Sequence, residues 1–266
     1  LYTFENSYCY CTEFRDRHPH AILFNILNRK DSCGLGHDNW DYSGMHNCHC
    51  EQRKLVCLRN SASTCQAASE VLVKTIHFMK SLPSFHHLPC IDQLLLLQSC
   101  WAPLFVLGLA QEHMVFEVTD IPTASILRNL LLNHQKRTNE QETDDSPTTL
   151  QAVHNLNSCL NKLWSLDLTA KEYAYLKGAI LFNPDVSGLM SCKHIEGLQK
   201  ESQRVLHEVI QTLHPNDHGR FTCVLLTASS LRTVAQSFVT ELFFRPVIGQ
   251  TDLLELLTEI LFRKNI

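Results

Sequence analysis

The sequence predicts an all-α domain in which helices pack in layers around one largely apolar helix. Between Ala68 and Leu82, apolar side chains recur at helical spacing, which is typical of an amphipathic helix with one buried face. From Leu94 to Leu109 the chain is apolar on nearly every side, as in a helix that is buried all round. Pro83 and Pro89 separate the two helices, because proline lacks an N–H group and cannot continue a helix.

Shorter features flank the apolar helix. Asp92 stands just ahead of four consecutive leucines, where its carboxylate is expected to cap the helix that follows. Beyond that helix, Met114 to Val118 has the character of a short strand. The stretch from His134 to Thr149 is polar and charged, so it is predicted to be an exposed loop between helices.

The second half of the chain continues the helical pattern. Leu150 to Leu166 is amphipathic, and Thr169 stands three residues before Glu172, which is the spacing of a capping box. The helix that starts there is predicted to end at Asn183-Pro184. Three more helices are predicted: His194 to His214, a helix that opens at Gly219 and runs to Gly249, and Asp252 to Phe262.

Length and composition indicate the size of the domain and argue against several classes of protein. The 266 residues, 44% of them hydrophobic, suffice for one domain of about 200 residues and an extension. The formal net charge of −4 gives no electrostatic footprint for nucleic acid, and no apolar run is expected to span a bilayer. The sequence lacks the motifs of hydrolases, nucleotide-binding enzymes and zinc proteases, so neither an enzyme nor a cofactor is expected.

The N-terminal part differs from the rest, and we expect a Cys- and His-rich segment over residues 1–62 and the helical domain over 63–266. Cys9-x-Cys11 and Cys48-x-Cys50 are its close cysteine pairs, and the Cys-x-x-Cys spacing typical of structural zinc does not occur. A reduced segment with little fixed structure is therefore favoured over a zinc site, and no metal ligands are assigned.

The region around Pro83 and Pro89 contains a characteristic combination of residues. These are Lys80, Pro83, Phe85, Leu88, Pro89, Asp92, Gln93, Leu96, Leu97 and Trp101. This set resembles the signature of nuclear receptor ligand-binding domains. The resemblance covers roughly residues 63 to 266 and implies a three-layer helical sandwich with one short β-turn. The two four-cysteine fingers with which that family reads DNA cannot be built from this sequence, so direct DNA binding is not expected.

In that family the last helix closes a hydrophobic groove that receives a helix from a coregulator. The resemblance assigns Lys80 to the C-terminal carbonyls of the bound helix and Glu259 to its N-terminal N–H groups, because these charges match the helix dipole. Gln98 stands where many members have a second basic residue. The apolar groove residues are expected in the last helix, at Leu256, Leu257, Ile260 and Leu261.

Two short stretches are similar to the Leu-x-x-Leu-Leu motif by which coregulators enter such grooves. The first consists of Leu23, Ile26 and Leu27, and the second of Leu127, Leu130 and Leu131. Three apolar anchors at positions i, i+3 and i+4 lie on one face of a helix and fit helix-in-groove recognition. The alternative for both is packing within the protein itself, and it is stronger for the second motif because Leu-rich helices produce this string by chance.

The resemblance implies a transcriptional corepressor of the nucleus that is also present in the cytoplasm. Such a protein binds other nuclear receptors through its motifs, competes with coactivators, and recruits corepressors and histone-modifying complexes in bile-acid, cholesterol and lipid gene regulation. The alternative is a ligand-activated nuclear receptor whose DNA-binding domain lies upstream of Leu1. The sequence predicts no membrane partner and leaves the existence of a small-molecule ligand undetermined.

Overall fold

The computed structural model describes residues 54–121 and 148–263. The helices are α1 (Ser61–Ser81), α2 (Pro83–His86), α3 (Cys90–Gln111), α4 (Leu150–Ser165), α5 (Ala170–Leu181), α6 (Cys192–Leu213), α7 (Arg220–Ser230), α8 (Gln236–Val239), α9 (Arg245–Ile248) and α10 (Leu253–Phe262). The other described elements are β1 (Val56–Leu58), β2 (Val118–Asp120), a 3₁₀ turn over Leu231–Thr233 and a π-helical turn over Thr240–Phe244. The all-α prediction is confirmed.

The central helix is α3, in which every residue from Cys100 to Ala110 is buried. α1 packs against one side of α3, and α4 and α5 pack against it as well. α6 and α7 in turn pack on α5, and α7 also contacts α4. The result is the layered sandwich expected from the sequence, with one hydrophobic cluster extending through its layers.

The contact between α1 and α3 depends on Gly108. A Cβ atom at this position would lie 2.8 Å from Cγ1 of Val71, closer than side-chain carbons approach each other in proteins. The absence of a side chain at Gly108 therefore lets the two helices come together. The apolar face that the periodicity of α1 predicted is buried at Ala68, Val71, Leu72, Thr75 and Met79.

By length and composition alone, α3 is apolar enough to cross a membrane. The expectation that no stretch reaches this length is therefore wrong for Cys90–Gln111. Within the domain, however, 78% of this apolar stretch is buried against other helices. Its composition is accounted for by its position at the centre of the core.

Asp92 does not cap α3 as predicted, because the helix begins earlier, at Cys90, with Pro89 preceding it. The Asp92 side chain is instead completely buried and reaches the loop before α6. One carboxylate oxygen accepts the N–H of Met190 at 2.7 Å, and the other accepts the N–H of Ser191 at 2.9 Å. Asp92 thus ties the start of the central helix to a loop about 100 positions further along the chain.

The predicted capping box at the start of α5 is confirmed and extends into a buried ion pair. The Thr169 hydroxyl accepts the N–H of Glu172, and the Glu172 carboxylate accepts the N–H of Thr169 at 2.8 Å. The Arg220 guanidinium, at the start of α7, donates to the same carboxylate at 2.9 Å. The Glu172 side chain is fully buried and that of Arg220 is 10% exposed, so this pair links α5 to α7 inside the domain.

A two-stranded antiparallel sheet closes one edge of the domain. β1 pairs with β2 in a register that places Val56 opposite Asp120 and Leu58 opposite Val118. The strand character predicted for Met114 to Val118 therefore appears slightly later in the chain. Val56 and Leu58 are buried in the core, so residues ahead of 63 also contribute to the packing of this domain.

The helix predicted from Gly219 to Gly249 is interrupted, and this part of the prediction is wrong. α7 ends at Ser230, and Val234 and Ala235 are extended after the 3₁₀ turn. Side-chain hydroxyl groups around the break donate to nearby main-chain carbonyls, including Ser230 to Thr227 at 2.6 Å. Such local bonds compete with regular helix, which explains why a helical pattern breaks here.

The interruption brings Gln236 onto α3 beside Pro103. Pro103 has no N–H group to donate to the carbonyl of Ser99, which the helix would otherwise bond. Gln236 Nε2 donates to the carbonyls of Gln98 at 3.0 Å and Ser99 at 3.4 Å. Gln236 Oε1 accepts the indole N–H of Trp101 at 3.0 Å. One amide side chain therefore satisfies the Ser99 carbonyl and the Trp101 indole, which would otherwise lack partners.

We predict that Arg220→Ala lowers the free energy of unfolding by about 3–5 kcal/mol, because it leaves the Glu172 carboxylate buried without its partner. Burial by itself raises the pKa of Glu172, but hydrogen bonds from Arg220 and Thr169 outweigh burial and hold it below its ordinary value. This carboxylate therefore stabilises the fold above about pH 4.3, and its contribution is lost as the pH falls through the lowered pKa. In the variant that pKa rises, so acid unfolding begins at a higher pH.

Urea denaturation followed by circular dichroism across this pH range measures both effects. Arg204→Ala is the matched control, because Arg204 pairs with Glu201 and Glu208 on the exposed face of α6 and should change stability little. A loss in the control as large as that in Arg220→Ala would contradict the assigned role of the buried pair.

Candidate functional site

Lys80, in the last turn of α1, holds the end of the C-terminal helix. Its amino group donates to the carbonyl of Ile260 at 3.2 Å and to that of Arg263 at 2.9 Å. The last carbonyls of a helix have no donors within the helix, and they carry the negative end of its dipole. The positive charge of Lys80 therefore satisfies the C-terminal end of α10 both by hydrogen bonding and electrostatically.

The other end of α10 is also capped. The Asp252 carboxylate accepts the N–H of Leu254 at 2.9 Å, and this local bond begins the helix. Leu253, Leu257 and Leu261 lie one helical turn apart and are buried, and α10 packs against α1 and α3. The predicted helix over Asp252 to Phe262 is thus present, with an apolar face directed at the domain.

The residues assigned to a coregulator groove fall into two groups. Leu257 and Leu261 are buried, whereas Leu256 and Ile260 are partly exposed. The Glu259 side chain is exposed, and Glu259 lies in the same last turn of α10 that Lys80 holds. In this structure Lys80 therefore contacts the main chain of the helix that carries Glu259. Their pairing around a partner helix stays a prediction.

Gln98 is also exposed, on the surface of α3, and it is the main-chain carbonyl of this residue that makes the contact to Gln236. The two predicted receptor-binding motifs, Leu23–Leu27 and Leu127–Leu131, lie outside the described residues. The structure therefore brings Lys80 together with the last helix, while the roles of Gln98 and of the two motifs stay predictions.

Sequence reasoning missed an aromatic cluster that fills the interior near α1, α3 and the π-helical turn. The ring of Phe105 lies 5.6 Å from that of Phe243 and 5.2 Å from that of Phe244, measured between centroids. Phe116 contacts Phe243 at 5.1 Å, and Trp101 contacts Phe244 at 6.4 Å, all edge to face. The adjacent pair Phe243-Phe244 was the feature of the sequence from which this cluster could have been predicted. Phe243 and Phe244 are buried within the π-helical turn, which is wider than an α-helical turn, and the periodicity of the sequence does not predict such a turn.

The ionisable groups of the described residues do not form a reactive centre. Burial raises the pKa of Cys100 to about 11, so its thiol stays protonated at neutral pH and donates to the carbonyl of Ile180 at 3.3 Å. Burial likewise raises the pKa of Tyr173 to about 12. Within 54–121 and 148–263, no group of three His, Cys, Asp or Glu side chains is placed to hold a metal ion. The Cys- and His-rich residues 1–53 fall outside this range.

The comparisons with known proteins identify the class of protein that this fold and groove belong to. Residues 49–248 match the family described as the ligand-binding domain of nuclear hormone receptor. The chain therefore belongs to the nuclear receptor ligand-binding domain family, as the Lys80–Trp101 signature predicted. Members of this family are non-enzymatic regulators of transcription that act in the nucleus, and the expectation that the chain is not an enzyme is confirmed.

Within the family, the chain is similar to the nuclear receptors of subfamily 0, group B. It is 48% identical to member 2 from Homo sapiens, the small heterodimer partner, over 80% of this chain and 84% of that protein. Member 2 from Rattus norvegicus is 46% identical over 80% of this chain and 83% of its own length. Member 1 from Callithrix jacchus is 38% identical over 85% of this chain and 50% of that protein.

We predict that Phe243→Ala lowers the free energy of unfolding by about 3–5 kcal/mol, because it leaves a cavity among Phe105, Phe116 and Phe244. Thermal and urea denaturation measure this loss. Val115→Ala is the matched control, since Val115 is 77% exposed and should change stability by no more than about 0.5 kcal/mol. Equal stability of Phe243→Ala and wild type would show that the cluster does not support the fold.

Proposed function

We propose that this protein is a transcriptional corepressor that binds other nuclear receptors through its Leu-x-x-Leu-Leu-like motifs. The observation that supports this proposal over activation is the contact of Lys80 with Ile260 and Arg263. In an activating receptor, the amino group at this position is needed by the helix of a coactivator. Here it is engaged by the C-terminal helix of the chain itself, so the domain is poorly arranged to recruit coactivators.

The receptor-binding step uses the motifs Leu23–Leu27 and Leu127–Leu131, each as a helix placed in the groove of another receptor. Each apolar anchor contributes about 1.5–3 kcal/mol on burial. The ordering of the segment and the entropy of association reduce the sum, which leaves an affinity on the order of micromolar. This affinity is sufficient for competition with coactivator helices, which use the same three-anchor geometry.

The second step is recruitment of corepressors and histone-modifying complexes by the helical domain. The similarity to the small heterodimer partner, 48% identity over 80% of the chain, supports this assignment. We propose, as the resemblance implies, that the protein acts in the nucleus and is also present in the cytoplasm. The genes that it controls are those of bile-acid, cholesterol and lipid metabolism. Repression then combines occlusion of a coactivator site with delivery of a repressing complex.

The alternative function is that of a ligand-activated receptor. It requires an internal site for a small molecule and a last helix that leaves room for a coactivator. The rings of Phe105, Phe243 and Phe244 occupy the interior near α1 and α3, and α10 is bound to Lys80. Both observations favour the corepressor.

We predict that the double variant Leu23→Ala, Leu27→Ala binds an activated receptor domain at least tenfold more weakly than wild type. The two substitutions remove two of the three apolar anchors, each of which contributes more than the 1.4 kcal/mol that corresponds to a factor of ten. A pull-down with purified receptor domain, with and without a coactivator peptide, measures the change, and wild-type binding should decrease as the peptide is added.

The neighbouring substitution Asn25→Ala is the matched control, because residue 25 lies between the anchors in the motif and is not one of them. It should leave receptor binding near the wild-type value. Unchanged binding and repression by the double variant would rule out the first motif and move the receptor-binding surface elsewhere.

We predict that Leu130→Ala also weakens receptor binding, because it removes the second anchor of the Leu127–Leu131 motif. A leucine packed within its own domain would instead cost about 2–5 kcal/mol of stability on truncation. The melting temperature separates the two cases. Weaker receptor binding at an unchanged melting temperature supports the partner role, whereas a lowered melting temperature with unchanged binding contradicts it.

A further inference from the structure

A small cavity lies where the 3₁₀ turn after α7 packs against the central helix α3. It has a volume of about 220 Å³, and its walls come from α3, from the end of α5 and from the segment between the 3₁₀ turn and Gln236. Sites for drug-sized molecules measure about 300–1,000 Å³, so this cavity is suited to a smaller molecule. Its lining residues are not those of the aromatic cluster around Phe105, so the two are separate features of the domain.

Arg232 brings a positive charge to this cavity. Within residues 54–121 and 148–263, its guanidinium makes no ion pair and no side-chain hydrogen bond. Four other arginines in these ranges are each paired with a glutamate, namely Arg59, Arg204, Arg220 and Arg245. None of the described residues that line the cavity is acidic. The electrostatics of the cavity therefore favour an anion.

Asn183 supplies hydrogen-bond donors at the same cavity. It is 7% exposed, and its Oδ1 atom accepts the N–H of Asp185 at 3.3 Å. This local bond fixes which end of the amide is the oxygen. The Nδ2 group carries two N–H donors, and no acceptor among the described residues bonds to it. This buried amide is satisfied when an acceptor oxygen enters the cavity.

The rest of the lining is largely apolar or already bonded. Pro103, Ile180 and Val234 are apolar residues of the lining. Gln236 uses both ends of its amide on α3, and the Cys100 thiol donates to the carbonyl of Ile180 at 3.3 Å. These groups are held in place without a ligand, so binding costs little ordering of the protein.

We propose that this cavity binds a small monocarboxylate. The Arg232 guanidinium pairs with the carboxylate, because its parallel N–H groups match the two oxygens, and Asn183 Nδ2 donates to one of them. The apolar body of the ligand lies against Pro103, Ile180 and Val234, where it is removed from water. The small volume excludes extended ligands, and one guanidinium favours a single negative charge.

This inference goes beyond the proposed corepressor activity and does not depend on it, because it uses neither the Leu-x-x-Leu-Leu-like motifs nor α10. A ligand in the cavity contacts α3, the end of α5 and the segment that follows α7 at the same time. It therefore stabilises the arrangement in which the helix is interrupted before α8.

The test uses the full chain at neutral pH with sodium benzoate as the probe, because benzoate combines one carboxylate with a small apolar ring. Isothermal titration calorimetry should show saturable binding of one benzoate per chain. Benzamide has nearly the same shape and no charge, so it should bind about tenfold more weakly, or weaker still. Equal affinities for benzoate and benzamide, or the absence of saturable benzoate binding, would overturn the proposal.

Two indole N–H groups report where the probe binds. The indole of Trp101 donates to Gln236 at 3.0 Å, beside the cavity, whereas that of Trp164 donates to the carbonyl of Ala110 at 3.0 Å. In a ¹H–¹⁵N NMR titration, we expect the Trp101 signal to move with added benzoate and the Trp164 signal to stay in place. A Trp101 signal that moves no more than that of Trp164 would place the benzoate elsewhere and contradict the proposed site.

A variant tests the role of the guanidinium. Arg232→Gln should weaken benzoate binding by about tenfold or more, and it should fold as wild type does because Arg232 is exposed. Arg204→Gln is the matched control, since it removes the same charge from the exposed face of α6 and should bind benzoate as wild type does. Equal affinities of the two variants would show that the site does not depend on Arg232 and would overturn the proposal.

Discussion

The burial of α3 on nearly all sides is the constraint on which the rest of the domain depends. A helix that is apolar all round must be covered by other elements, and a single neighbour leaves most of its surface in water. α1, α4 and α5 pack directly on it, and α6 and α7 extend the layers outward. The approach of α1 at Gly108 places the end of α1, and with it Lys80, next to the C-terminal helix.

Polar groups inside this apolar assembly fix how its parts are arranged. Asp92 binds the loop before α6, Glu172 binds Arg220, and Gln236 binds the main chain of α3 next to Pro103. Apolar packing alone tolerates several arrangements, whereas a buried carboxylate or amide is stable only where its partners lie. Each of these contacts joins segments that are far apart in sequence, so together they select one arrangement of the layers.

The sequence predicted those features that depend on residues close to each other in the chain. The burial of α1, the all-round burial of α3, the capping box of Thr169 and Glu172, and the extent of α10 all follow from spacing within a few turns. Asp92 was assigned to its own helix because its real partners, Met190 and Ser191, lie in a distant loop. The break before Gln236 and the seating of α10 on Lys80 likewise arise from tertiary contacts, which periodicity does not encode.

The short linker that follows Gly249 has a quantitative consequence for the way α10 is held. A helix tethered by so few residues meets its packing surface on α1 and α3 at an effective concentration in the millimolar range. The same helix supplied as a free peptide at micromolar concentration would meet that surface at a concentration about a thousandfold lower. The apolar contacts of Leu257 and Leu261 and the two hydrogen bonds of Lys80 therefore keep α10 in place although each is weak by itself.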